Sequence, residues 1–224
     1  MIKLEKVSVM NFENAIRGAR NPMNSWEKSD SYYDEDGNYI LGENDLDLCK
    51  RLCKAGPDHR KFMRQIFVSV NITAPLYWWK EYDTYKVGTV ANSCSTMHTI
   101  HKKEFTLDDF SREHLIDELR WGIPIPTSHG NYFNPLDILE LTVDMLNHCR
   151  DLYLLSKDKK YWWQMIQLLP SSYNQMRTCT LTYENLVNMY HARKNHKLDE
   201  WRAFCKWIET LPYSELITGG SDDQ

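Results

Sequence analysis

The chain has 224 residues, 42% of them hydrophobic and 26% charged, which is enough apolar material for one sizeable core and excludes wholesale disorder. A formal net charge of −4 creates no field that would draw in DNA or RNA, so a nucleic-acid partner is not expected. The six cysteines are scattered without a Cys-x-x-Cys pair, the N-terminus lacks the apolar run of a signal peptide, and no stretch is long enough to cross a bilayer, so the expectation is a cytoplasmic protein with reduced thiols and no membrane contact.

Residues 1–10 alternate through Ile2, Leu4, Val7 and Val9, which predicts a strand, and a short helix is expected from Glu13 to Arg20. From Asn21 to Gly42 the composition turns to Ser, Asn, Asp, Tyr and Gly, with Asp36-Gly37 as a turn signal, and the segment reads as a long loop, either a lid or disordered. Asn44 is the expected N-cap of a helix from Asp45 to Lys54 that ends at Gly56-Pro57. Its stripe of Leu46, Cys49, Leu52 and Cys53 points to buried thiols and not to a metal site. Phe62–Thr73 reads as a buried strand, and Ala74-Pro75 opens an aromatic helix over Leu76–Tyr82.

Val90–His98 is a small-residue loop with three hydroxyls, one amide and one thiol, suited either to lining a phosphate or to closing a capped turn. His98 and His101 lack the further donors that a metal needs. An amphipathic helix capped by Thr106 is expected over 105–122, and Pro124–Gly130 is turn-rich. Asn134-Pro135 opens the longest helix, to Leu155, and another follows from Lys159 to Leu169. A β-prone run over Thr178–Tyr183 leads into two further helices, the last from about Lys197 to Leu211 with Leu198, Trp201, Cys205 and Ile208 as its apolar stripe. The tail 219–224 is polar and expected to fray. There is no Gly-rich phosphate loop.

The densest polar stretch runs from Leu168 to Trp207. Arg177 and Arg193 are planar, permanently charged forks, each able to grip a phosphate or a pyrimidine carbonyl at two points. At about 100° per residue, Asn188 and Arg193 lie roughly 140° apart around a helix, which points to two ligands or two subunits. The alternative, that these are ordinary solvated helix residues, stays open on spacing alone.

The run Leu169-Pro170, Tyr173, Arg177, Asn188, Arg193, His196 and Glu200-Trp201-Arg202 resembles the closing segment of the flavin-dependent thymidylate synthases. In that family a Leu-Pro turn precedes an arginine that binds dUMP, a strand follows, and a helix carries an FAD-contacting asparagine and a second dUMP-binding arginine. Asn188 and Arg193 stand at the family's distance from the Leu-Pro pair, and Arg177 stands one residue late. The Ala-Pro pair and aromatic helix also resemble the approach to the family's Arg-His-Arg-x-x-Ser-x-Asn-x-x-Ser-x-Arg signature. Here Thr84, Tyr85 and Lys86 occupy the Arg-His-Arg positions and Thr89 that of the first serine. With one residue inserted, Asn92 and Ser95 take the asparagine and second serine, and Met97 replaces the last arginine.

The resemblance implies an α/β fold over residues 1–224, with a central sheet and several long helices. It implies dUMP contacts from Tyr173, Arg177, Arg193 and Ser95, with Arg193 also serving catalysis, and FAD contacts from Tyr85, Lys86, Asn92, Asn188 and His196. The implied reaction methylates dUMP to dTMP with methylenetetrahydrofolate, FAD reduced by NADPH and no metal, in a homotetramer with shared sites. Because that chemistry is electrostatic and positional, the missing forks imply an alternative on the same scaffold: a non-catalytic nucleotide-binding or assembly protein.

Overall fold

The computed structural model describes residues 2–117, 125–126 and 132–219. In chain order the elements are β1 (Lys3–Met10), α1 (Phe12–Arg20), β2 (Tyr32–Tyr33), β3 (Tyr39–Ile40), α2 (Glu43–Lys54), β4 (Phe67–Pro75), α3 (Leu76–Tyr82), β5 (Val90–Ser93) and α4 (Thr96–Thr99). There follow β6 (Ile125–Pro126), β7 (Tyr132–Phe133), α5 (Pro135–Ser156), α6 (Lys159–Leu168), β8 (Asn174–Thr182), α7 (Tyr183–Arg193), α8 (Asp199–Ile208) and α9 (Glu215–Thr218). The architecture is α/β, as expected: a four-stranded sheet ordered β1-β4-β8-β5, two small hairpins and several helices.

β4 is built from a strict alternation. Val68, Val70, Ile72 and Ala74 are buried while Ser69, Asn71 and Thr73 on the other face are half-buried, the period that the pleat imposes. Its polar face pairs with that of β8: the Ser69 and Thr180 hydroxyls lie 2.8 Å apart, and the Thr178 hydroxyl donates to Asn71 Oδ1 at 2.8 Å. As one number rises the other falls, so the two strands are antiparallel.

The described residues group into two compact units, one of residues 73–81 and 93–176, the other of 2–72, 82–92 and 177–219. The first is built on the long helix α5. Asn134 caps it by accepting from Asp137 N at 2.8 Å, Asp137 returns the bond to Asn134 N, and Pro135 sits at the first position. Leu139, Val143, Leu146 and Cys149 of α5 and Met165 of α6 close a core with Ile100, Phe105 and Phe110. The second unit packs α1, α7, α8 and α9 around Ile16, Met63, Tyr183, Leu186, Trp201, Phe204 and Ile208, all essentially without solvent exposure.

Residues 21–42, expected to be irregular, are ordered by a buried ion pair. Arg20 Nε donates to Asp45 Oδ1 at 2.6 Å, with the two side chains 5% and 0% exposed. The other Asp45 oxygen accepts from the Ser29 and Ser31 hydroxyls, both at 2.6 Å, and the Arg20 guanidinium also donates to the carbonyls of Ser25 and Lys28. Beyond that clasp, β2 and β3 form a hairpin. The same region supplies the cap of α2. The expected N-cap, Asn44, is inside the helix; Gly42 is the N-cap residue, and the carboxylate of Asp30 accepts from the backbone N–H of Asn44 and Asp45 at 2.9 and 3.1 Å. A Cβ on Gly42 would lie 2.2 Å from the Asp30 side chain, so only glycine admits this contact.

Three further expectations change. The strand placed at Phe62 begins at Phe67, because Lys61–Gln65 form a 3-10 turn that buries Phe62 and Met63. The Val90–His98 stretch is not a plain loop but β5 followed by the single turn α4. The amphipathic helix expected over 105–122 is absent from its described part: Thr106 and Asp109 close one 3-10 turn in a capping box, and Phe110 then bridges Tyr173 as a strand would. Residues 118–122 of that expectation lie outside the described residues, as do 124, 127–130 and the tail from 220. Ile125-Pro126 pair with Tyr132-Phe133 as β6 and β7.

Burial pushes the Asp45 carboxyl up, but its hydrogen bonds to Ser29, Ser31 and Arg20 outweigh that and hold it below its ordinary 3.8. A carboxyl lowered by folding contributes stability that is present above the unfolded value and lost as pH falls through the folded one. Acid unfolding should therefore begin below about pH 4 and show a weaker acid dependence in Asp45→Asn. At neutral pH, Asp45→Ala should destabilise by about 3–5 kcal/mol, because Arg20 stays buried without its partner. Urea unfolding at both pH values measures both effects.

Candidate functional site

The sequence-predicted residues that come together do so around the end of α7. Arg193 occupies the last position of that helix, and its Nε donates to the Tyr85 hydroxyl at 2.9 Å. Its guanidinium carbon stands 4.9 Å from the centre of the Trp201 ring and 5.7 Å from that of Tyr85. The two rings meet edge to face at 5.9 Å, and the His196 ring meets Trp201 at 6.4 Å. Trp201 is fully buried at the start of α8. The arginine is thus held against a rigid aromatic shelf, which restrains the direction of its fork. His196 Nδ1 accepts from Leu198 N at 3.2 Å, which places the ring proton on Nε2. Burial, reinforced by Glu209, pushes the nearby Cys205 thiol up to about 11 against the opposing pull of Arg193, so this cysteine is not a nucleophile.

Arg177 lies on β8 in the same unit, 15% exposed, and its Nη1 meets Asp83 Oδ1 at 2.7 Å. Between Asp83 and β5 the chain turns at Gly88, whose φ is +74°. Asn185 of α7 fixes this turn. It accepts from the Thr182 N–H and hydroxyl at 2.9 and 2.8 Å and donates to the Val87 carbonyl at 2.7 Å, and a Cβ on Gly88 would come within 3.3 Å of its Oδ1. Lys86 and Asn92 on this segment and Asn188 on α7 are exposed, with no side-chain hydrogen bond among the described residues. The helix places Asn188 and Arg193 on different sides, as their spacing requires.

The other two candidates belong to the first unit. Tyr173 bridges Phe110 and packs its ring against Phe105 and Phe110 at 6.4 and 5.7 Å; burial pushes its phenol up, and Asp109 adds to that. Ser95 is the cap of α4, accepting from His98 N at 3.2 Å, so the stretch does form a capped turn. No cluster of His, Cys, Asp and Glu able to hold a metal occurs among the described residues.

No protein-family model matches the sequence, and no curated protein matches it. Solved structures do match. A thymidylate synthase X of Helicobacter pylori with FAD and dUMP superposes at a TM-score of 0.65 with 16% identity, over 97% of each chain. A second structure of that enzyme, complexed with FAD and dUMP, gives 0.63 at 16% identity over 98% of this chain and all of the other. The UMP/dUMP methylase PolB from Streptomyces cacaoi, bound with 5-Br UMP, gives 0.62 at 12% identity over 98% and 95%. The chain has the fold of the flavin-dependent thymidylate synthases.

Sequence reasoning missed Asp83, the partner of Arg177, because a pair 94 positions apart leaves no local signal. It read Trp201 as part of the apolar stripe of the last helix and of the resembling run, but not as the ring under Arg193, because the two stand on different helices. Asn185 was legible, since Thr182 and Asn185 have the spacing of a capping box.

The shelf gives Arg193 a structural role. Arg193→Ala should lower stability by about 1–3 kcal/mol, because it removes a hydrogen bond and the cation over Trp201, while Tyr85→Phe, which keeps the ring, should cost less than half as much. Thermal unfolding of the three proteins tests this, and an unchanged midpoint in Arg193→Ala would overturn the shelf.

Proposed function

We propose that this chain binds a uridine monophosphate, with dUMP as its reference ligand, and methylates it as a divergent flavin-dependent thymidylate synthase. The observation that carries this reading is the likeness over the whole length to folds that hold dUMP or a brominated UMP in their own structures. Supporting it is Arg193, an oriented guanidinium suited to polarising a uracil carbonyl or gripping a phosphate. In this proposal Arg193 serves both binding and catalysis and Arg177 gives a second cationic contact, while Tyr173 and Ser95 are each proposed as dUMP-binding residues of the first unit. Methylenetetrahydrofolate is the proposed carbon donor and NADPH the proposed reductant.

The donors proposed for FAD are Lys86, Asn92, Asn188, His196 and Tyr85. They fit a flavin nucleotide in kind, since Lys86 is a cation and the two exposed asparagines offer amide donors, but a single ammonium replaces the forks that would clasp a pyrophosphate at two points. Bound, the flavin would supply the reducing equivalents that complete the methyl group. The chain's own residues would orient the two nucleotides and hold charge near the uracil ring. The second reading, a nucleotide-binding protein without turnover, is favoured by Thr84, Tyr85 and Lys86 at the signature positions and by the engagement of Arg177 with Asp83.

Isothermal titration with dUMP is the test. Arg193→Lys keeps the charge without the fork and should lose about ten- to a hundredfold in affinity, the worth of one charge-assisted hydrogen bond; equal affinity in wild type and variant would remove the nucleotide site. Protein purified with FAD should carry flavin absorbance that Lys86→Ala diminishes. Measured dTMP formation from the loaded protein separates the two readings, since binding without product leaves the second.

We further propose that the chain acts as a homo-oligomer, with a tetramer as the expected form. Ile138, Leu141 and Met145 make an apolar stripe along α5 that is 42%, 49% and 49% exposed. Light scattering should give a mass well above the 26.6 kDa of one chain, and Leu141→Glu with Met145→Glu should lower it. A wild-type monomer at micromolar concentration would refute the proposal.

A further inference from the structure

The start of α1 and the β2–β3 hairpin enclose a cleft of 740 Å³ for which the nucleotide reading has no use. Three phenol rings line it. Tyr33 is 57% exposed and meets Tyr39 edge to face at 5.2 Å, and Tyr213 packs on Phe12 at 5.4 Å while its hydroxyl accepts from Leu41 N at 2.8 Å. The hairpin wall is stiff. Asp34 accepts from the backbone N–H groups of Asp36 and Asn38 at 3.0 and 2.7 Å, which closes the turn.

One lining residue carries a full charge, and it is Glu13. Its Oε2 accepts from the Tyr33 hydroxyl at 2.8 Å, and no other hydrogen bond to it occurs among the described residues. No lysine or arginine lines the cleft. Arg17, one turn further along α1, donates instead to Asn14 Oδ1. A phosphate or a carboxylate tail would meet Glu13 and the negative faces of the rings with no cation to receive it, so anionic ligands are disfavoured. A positive charge would be drawn both to the ring faces and to the carboxylate. The N-terminal end of α1 opposes a cation, but Glu13 lies in its first turn and offsets that end.

We propose that this cleft binds a small organic cation of the guanidine or polyamine class, its charged head on Glu13 and its carbon body against Tyr33 and Tyr39. The rings supply an apolar, stacking wall. Asn14 and Asn38 stand in the lining with their amides engaged, Asn14 by Asn11 and Arg17 and Asn38 by Asp34. Such a ligand would be separate in chemistry from dUMP, FAD and folate, all of which are anions.

Agmatine, which has a guanidinium at one end and an ammonium at the other, is the probe. Calorimetric titration of the whole protein should show one saturable site per chain. Glu13→Gln should weaken it at least about tenfold, Tyr39→Leu should weaken it as well, and Arg17→Ala, outside the lining, should not. Glu13 is exposed, so Glu13→Gln is expected to fold, which circular dichroism checks. Saturating dUMP should leave the agmatine site intact. Absence of saturation by agmatine, or equal affinity in wild type and Glu13→Gln, would overturn the proposal.

Discussion

The pairing of β4 with β8 is the constraint on which the rest depends. Side chains that would be polar liabilities on an exposed sheet face are matched across the strands, Ser69 to Thr180 and Asn71 to Thr178, while Val68, Val70, Ile72, Cys179 and Leu181 fill the buried side. A slip of one residue would turn both sets to the wrong face, so the register is fixed by burial and by hydrogen bonding together. Each strand then passes directly into a helix, β4 into α3 at Pro75-Leu76 and β8 into α7 at Thr182-Tyr183. The register therefore sets where α7 begins, and the length of α7 sets where Arg193 stands.

Two arginines in the second unit show how the same fork is used in different ways. Arg20 is sealed with Asp45 and spends its donors on backbone carbonyls, so it orders the 21–42 segment and has nothing to offer a ligand. Arg193 rests on the faces of two rings and makes its bond to Tyr85 at Nε. Stacking on rings sets the direction in which a guanidinium points. The difference lies in the neighbours, since the residue is the same.

A fold shared at 12–16% identity illustrates how loosely a scaffold constrains its sequence. Burial needs only apolar residues of suitable volume in the right period, and many sequences supply that. Gripping a nucleotide needs particular donors at particular distances, so a scaffold can persist where its donors do not.

The sequence by itself determined the elements whose signals are local. The period of β4, the Asn134-Pro135 start of α5, the Pro at the entry to α3 and the stripe of α8 all lie within a few turns of chain, and each is written in residue order. It also determined that Asn188 and Arg193 face apart, because helix geometry alone decides that. Only the tertiary structure decided that residues 21–42 fold onto Asp45, that Asp30 and not Asn44 caps α2, that the 105–117 segment takes one 3-10 turn, and that Arg177 meets Asp83. Each of these rests on partners far apart in the chain or on a carboxylate arriving from another segment. Amino-acid order records the preference of a residue for a conformation or for burial; which distant residue satisfies a charge is settled only when the chain has packed.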